Sequence, residues 1–304
     1  MTLAETINEI STEHVRSGGL ILGQNLEAQQ SVCGTVPVGE PGVVIMPTTE
    51  TAGMGISIGA ALSGRPVIHV IRFASFLWLQ ASPIVNYAAK CKEIFGYDLP
   101  LWIRVSSDDN IGPVHSGMYH SPFLHMPGDL NVIAPMTPAE YRAAWADFQQ
   151  SKQPFLVSEH RRAYDYGLEM PDVKVTEADL TIIAIGPGRF DAMGARAALA
   201  TLHGMSVDLF HIWNLSGWTA DLANILQSVA TSRKCLIIDS TFERCSFAEH
   251  VAYQLYRSLF EISQGARGQY NIQVLGLADR SPGVSVGKNA TPNCQDIIDA
   301  ALAL

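Results

Sequence analysis

"VVIMPTTETAGMGISIGAALSGRPVIHVI", residues 43–71, reads as strand, helix, strand. The apolar run Val43 to Met46 stops at Pro47, which has no N–H to give to a ladder. Thr48 or Thr49 is placed to cap a helix over 50–63, and Gly64 and Pro66 end it before a second apolar run at 66–71. Between residues 46 and 62 there is one charge, Glu50, in the helix's first turn. The Gly, Ala, Ile and Met residues that follow it are expected to be buried. Short apolar runs on either side of a helix describe parallel strands covered on both faces.

The alternation extends in both directions. Upstream lie a helix pattern over 3–16 and the strand "LILG" at 20–23. Downstream come a long helix over 73–95 and strands "LWIRV" (101–105), "NVIA" (131–134) and "PFLVSE" (154–159), with a helix over 138–150 before the last. Residues 166–178 are polar and aperiodic and read as a linker. The pattern then restarts, with strands at 180–186, 206–213, 234–240 and 272–278 and helices at 189–203, 219–231, 246–262 and 293–303. The fold class is therefore α/β, with two doubly wound domains at 1–165 and 179–304.

Composition narrows the function. Of 304 residues, 47% are apolar and 16% charged, enough to build two cores. The net charge is −9 with no Lys/Arg cluster, which argues against nucleic acid or an anionic membrane as partner. The most apolar stretch, 43–62, is interrupted by Pro47 and Glu50, so no membrane span is expected. Cys33, Cys91, Cys235, Cys245 and Cys294 form no CxxC pair or metal spacing, which points to reduced thiols and a cytoplasmic location. The acidic, amphipathic start of the chain reads as neither a signal nor a transit peptide.

Two places are suited to chemistry. Glu50 is either a carboxylate stabilised by a helix N-terminus or one held beside a ligand. The second place is the long loop 106–129, "SSDDNIGPVHSGMYHSPFLHMPGD", which follows a strand's C-terminal end, where α/β sheets place ligands. Its histidines, His115, His120 and His125, are five apart and share no helix face, so proton transfer suits them better than zinc. "GPGRFDAMG" (186–194) lacks the GxGxxG spacing and reads as a tight strand-to-helix turn.

Residues 48–90 resemble the pyrimidine-binding domain of thiamine-diphosphate enzymes, above all the beta subunits of the decarboxylating component of 2-oxo acid dehydrogenases. The shared marks are Glu50 before the Ile/Gly/Ala-rich helix, Phe73-Ala74-Ser75-Phe76, and Ile84 to Lys90. Further marks are the interval of ten between His115 and His125, the "HMPGD" run, and the Thr-Pro start of the helix at 137–138. Residues 179–304 are similar to the family's smaller transketolase C-terminal domain. The resemblance implies thiamine diphosphate as cofactor. Glu50 would hydrogen-bond N1′ of its aminopyrimidine and favour the imino tautomer that removes the C2 proton. Thr48, Phe73 and Phe76 would contact the ring, with Phe76 stacked on it. His115 and His125 would be the catalytic histidines, His115 facing the reacting carbon.

The family's Gly-Asp-Gly…Asn motif, which holds the diphosphate and magnesium, does not occur in this sequence. The resemblance thus implies half an active site, with magnesium held mainly by an alpha-type partner subunit and self-association through the C-terminal domain. It leaves the donor open between a 2-oxo acid and a ketose-like compound. The acceptor is open between the lipoyl arm of an acyltransferase and a small molecule, as in a split transketolase-like carboligase. A non-catalytic scaffold is the remaining reading. The sequence also departs from the family, which often has an amide or acidic residue where Arg72 and Ser75 stand, and an acidic one at His120.

Overall fold

The computed structural model describes residues 1–109, 111–126, 128–262, 269–278, 281 and 291–304. The chain divides into two compact units, Met1–Glu169 and Met170–Leu304. Asn110 and Pro127 of the long loop lie outside the described residues.

The first unit runs α1 (Leu3–Arg16), β1 (Leu20–Gln24), α2 (Ala28–Gly34), β2 (Val43–Met46), α3 (Glu50–Leu62), β3 (Val67–Ile71), α4 (Leu77–Pro83), α5 (Cys91–Phe95), β4 (Leu101–Ser107), α6 (Ser121–Leu124), β5 (Asn131–Ile133), α7 (Pro138–Ser151) and β6 (Phe155–His160). Its strands form one parallel sheet in the order β2-β1-β3-β4-β6-β5. The chain leaves β1 toward β2 on one side and resumes at β3 on the other. The crevice at the C-terminal ends of β1 and β3 is therefore a topological switch point, the usual ligand position in an open parallel sheet. β3 and β4 are buried along their whole length, as central strands should be. Behind them Trp102 packs on Tyr141, Phe148 and Phe155 at centroid distances of 5.2–5.6 Å.

Two expectations are revised in this unit, and α2 is an element that the sequence pattern did not show. The helix expected over 73–95 is broken into a 3-10 turn (Ala74–Phe76), α4, a π turn (Ile84–Ala88) and α5. Pro83 has no N–H for the Leu79 carbonyl, and the Thr51 hydroxyl donates to that oxygen instead at 2.6 Å. The loop after β1 contains α2, whose residues Gln30 to Cys33 have φ of 52–57°, a left-handed turn that carries no apolar period to read. The apolar run of α3 is buried on one face only. Gly53, Met54, Ser57, Ile58 and Ala61 face inward, while Ile56 and Leu62 are exposed.

The second unit runs β7 (Leu180–Ile185), α8 (Gly188–His203), β8 (Val207–Ile212), α9 (Leu222–Ser232), β9 (Lys234–Phe242), α10 (Phe247–Ile262), β10 (Asn271–Leu277) and α11 (Cys294–Ala303). Its parallel sheet has the order β10-β9-β7-β8. Leu180, Ile182, Leu209, Leu236 and Ile238 form its core with Ala192, Ala195 and Ile297. Val173 pairs with Leu209, and the Val175 N–H donates to Asp208 at 2.7 Å. Among the described residues, no helix is long and apolar enough to cross a membrane.

Candidate active site

A cavity of about 220 Å³ opens at the switch point of the first unit. β1 contributes Gln24 and Asn25 at its end, β3 brings Arg72 and Phe73, and α3 brings Glu50 at its first position. Phe76, Gln80 and His115 complete the parts of the wall that matter chemically.

Glu50 sits here because Gln24 caps α3. In the amide orientation that satisfies both groups, Gln24 Oε1 accepts from the N–H groups of Thr49 and Glu50 at 3.2 and 3.3 Å. The expected threonine cap is not formed. Thr49 is the N-cap residue, but its hydroxyl donates to the Pro47 carbonyl at 3.3 Å. The Glu50 carboxylate is thus not spent on its own helix. It is half-buried at the cavity wall and has no hydrogen bond or ion pair among the described residues. A carboxylate placed this way is available to a ligand.

The aromatic wall follows from backbone geometry. Phe73 is extended (φ −138°, ψ 128°), and the 3-10 turn after it sets Phe76 beside it. The Phe73 and Phe76 centroids are 6.1 Å apart, and His115 lies 4.5 Å from the first and 5.7 Å from the second. His115 reaches them because the loop after β4 folds back on itself. The Gly117 N–H donates to the Asp108 carbonyl at 3.1 Å, and Ser116 Oγ accepts from the Ile111 N–H at 2.9 Å.

Glu50, Phe73, Phe76 and His115 of the residues singled out in the sequence therefore meet in one cavity. Thr48 and His125 do not line it. Thr48 is exposed just before α3, and His125 is exposed at the C-terminal end of α6. His120 is fully buried, with Nδ1 3.2 Å from Ser158 Oγ, and does not line the cavity.

Residues that sequence reasoning missed complete the site. His69 is buried in β3, with Nδ1 2.7 Å from Ser57 Oγ. Burial lowers its pKa to about 4, against a smaller opposing effect of Gln80, so the ring is neutral near pH 7. Gln80 Oε1 lies near enough to favour the charged ring but completes no hydrogen bond, and it is buried at the cavity wall. The only signal for His69 was a histidine inside an apolar run, which a packing role explains equally well. Gln24 gave none, because its role depends on β1 lying beside α3. Among the described residues no group of His, Cys, Asp and Glu is arranged to hold a metal.

Residues 10–166 match the model of the transketolase pyrimidine-binding domain. The chain belongs to this family. The pyrimidine-binding domain thus contains every element that builds the cavity. Curated relatives include the beta subunit of acetoin:2,6-dichlorophenolindophenol oxidoreductase from Cupriavidus necator, 28% identical over 229 residues, covering 70% of this chain and 67% of that protein. Another is the beta subunit of 2-oxoisovalerate dehydrogenase from Bacillus subtilis, 29% identical over 236 residues, covering 70% and 69%. Among solved structures, a split gene transketolase, described as an inactive beta4 tetramer, superposes with a TM-score of 0.70 over 100% of this chain and 97% of its own at 15% identity. That likeness covers the second unit as well and shows the shared α/β fold.

Proposed function

We propose that the chain is the beta-type subunit of a two-subunit thiamine-diphosphate-dependent enzyme that cleaves a 2-oxo acid or a ketose-like donor. The observation that carries this reading is the Glu50 carboxylate, unpaired among the described residues, in one switch-point cavity with Phe73, Phe76 and His115. The residues fit the aminopyrimidine end of the cofactor. Glu50 offers a carboxylate for a ring nitrogen, Phe76 an aromatic face, and the buried, unpartnered Gln80 Oε1 an acceptor for an amino group. When bound, thiamine diphosphate supplies a carbon nucleophile for carbonyl donors. Glu50 would share a proton with the nitrogen of a pyrimidine bound there, and Val70, Ile71, Phe73 and Phe76 form the apolar part of the wall beside it. His115, held against Phe73, is placed to give or take a proton at the bound donor. The relatives named as dehydrogenase and oxidoreductase beta subunits support a role as one of two unlike subunits.

The diphosphate and its magnesium belong mainly to an alpha-type partner, since this sequence has no Gly-Asp-Gly…Asn motif. That the split transketolase is described as inactive in its beta-only form agrees with a site completed by a partner. A heterotetramer and a cytoplasmic location follow as parts of the proposal; all five cysteines are free, as in a reducing compartment. Titration calorimetry tests the division of labour. The isolated chain should give little heat with thiamine diphosphate and magnesium, and clear binding once the partner is added. Tight, magnesium-dependent binding by the lone chain overturns the proposal.

A further inference from the structure

Arg72 lines the cavity at the end of β3, and nothing in the proposed cofactor site uses it. Its guanidinium has no hydrogen bond or ion pair among the described residues, and its Nε is buried without a partner. Its Cζ lies 5.3 Å from the centroid of the Phe73 ring. The nearest cation adds to the problem. Arg161 lies over the same ring at 4.9 Å and donates to the Arg72 carbonyl at 3.0 Å. Arg161 is compensated by Asp108 at 3.3 Å and Ser106 at 3.2 Å, whereas Arg72 is not. The Ser75 hydroxyl, three residues on, is also buried without a partner. Burial, and after it Arg161, disfavour the charge on Arg72, against a smaller opposing effect of Cys33. A half-buried guanidinium with no carboxylate partner among the described residues, beside a second cation, is suited to an anionic ligand.

We propose that Arg72 is the anion-recognition residue of this cavity, holding a carboxylate or phosphate that the substrate carries away from its reacting carbonyl. This rests on the cofactor reading above. The anion is not the carboxylate lost in a decarboxylation. A cation paired to that group would stabilise it before its charge moves away, and so would hold the reaction back. The group that suits Arg72 is one whose charge persists through turnover: a second carboxylate or a phosphate ester. The planar fork of the guanidinium suits either.

Calorimetry and thermal melting of the full chain with inorganic phosphate, succinate and uncharged succinamide, at constant chloride, test the assignment. Phosphate or succinate should bind and raise the melting temperature, and succinamide should do neither. Arg72→Gln should weaken that binding about ten- to a hundredfold, and Arg72→Lys should retain part of it. Loss of an uncompensated cation should not lower the melting temperature of the free Arg72→Gln chain, which separates recognition from folding. A preference for phosphate points to a phosphorylated substrate, and one for succinate to a dicarboxylate. Equal binding by Arg72→Gln and the parent, or no binding beyond succinamide, overturns the proposal. Thiamine diphosphate affinity, measured with the partner present, should be unchanged in Arg72→Gln. A parallel loss would assign Arg72 to the cofactor's diphosphate and overturn the substrate role. Failure of the Glu50 reading would instead appear as unaltered cofactor chemistry in Glu50→Gln, with anion binding intact.

Discussion

At the scale of single residues, two side chains carry separable expectations. Glu50→Gln keeps the shape and hydrogen-bonding reach of the carboxylate but cannot share a proton. It should slow C2–H/D exchange of thiamine diphosphate in the reconstituted complex by about a hundred- to ten-thousandfold, read by NMR. If Glu50 only stabilised the start of α3, exchange would persist and the cost would be about 0.3–1 kcal/mol of stability. His69 makes a pH prediction. Its folded pKa is about 4, below its ordinary 6.5, because burial penalises the charged ring. Between these values the unfolded chain binds the proton and the folded chain does not, so stability falls as pH drops from about 6.5 to about 4. The loss is on the order of 3 kcal/mol from His69 alone. His211, lowered to about 3 by burial and by Arg189, acts with the same sign. Urea unfolding of His69→Gln and the parent across this window isolates the first contribution as a shallower pH slope in the variant.

At the scale of elements, β4 and β6 are joined by charge as well as by their ladder. Arg104 Nε and Nη2 donate to the two Glu159 carboxylate oxygens at 2.8 and 2.9 Å, with both side chains fully buried. Tyr164 and Tyr141 donate to the same carboxylate at 2.7 and 3.0 Å, and Thr35 Oγ1 accepts from Arg104 Nη2 at 2.9 Å. Burial alone would lower the Arg104 pKa, but Glu159 reverses this and holds it above the ordinary value. Every member is satisfied, so breaking one strands the rest. Glu159→Leu leaves Arg104 buried and unpaired and should cost about 3–5 kcal/mol, measured as a lower urea midpoint. The network sets β4, and with it the start of the loop that brings His115 to the cavity.

At the scale of the whole molecule, exposed apolar side chains are the feature that the isolated chain leaves unexplained. In the first unit Ile56, Leu62, Trp78, Leu79 and Tyr87 are exposed on and around α3 and α4. In the second, Tyr253 and Phe260 are 62% and 63% exposed on one face of α10. Faces of this kind are typical of subunits that associate. Multi-angle light scattering should find the chain larger than a monomer. The double substitution Tyr253→Glu and Phe260→Glu should shift it to a smaller species without unfolding it. A monomer in the parent, with and without partner, would count against assembly through these faces.

The sequence by itself determined the alternation of strands and helices, and with it the parallel α/β class, because buried parallel strands are short unbroken apolar runs. It also singled out Glu50 and the loop histidines, since a lone charge in an apolar run and a histidine-bearing loop after a strand are local signals, while Phe73, Phe76 and the choice of His115 came from the family resemblance. Only the tertiary structure decided which of these meet. Thr48 and His125 have the right types and intervals, but the turn before α3 and the end of α6 leave them exposed and outside the cavity. Gln24 replaces the expected threonine cap through a contact across the sheet, and His69 and Gln80 join the site from elements that read as core. Arg72 was legible only as a departure from a pattern. Its meaning came from the lack of a carboxylate partner among the described residues, which depends on how β3, β4 and β6 lie together in space rather than on their order along the chain.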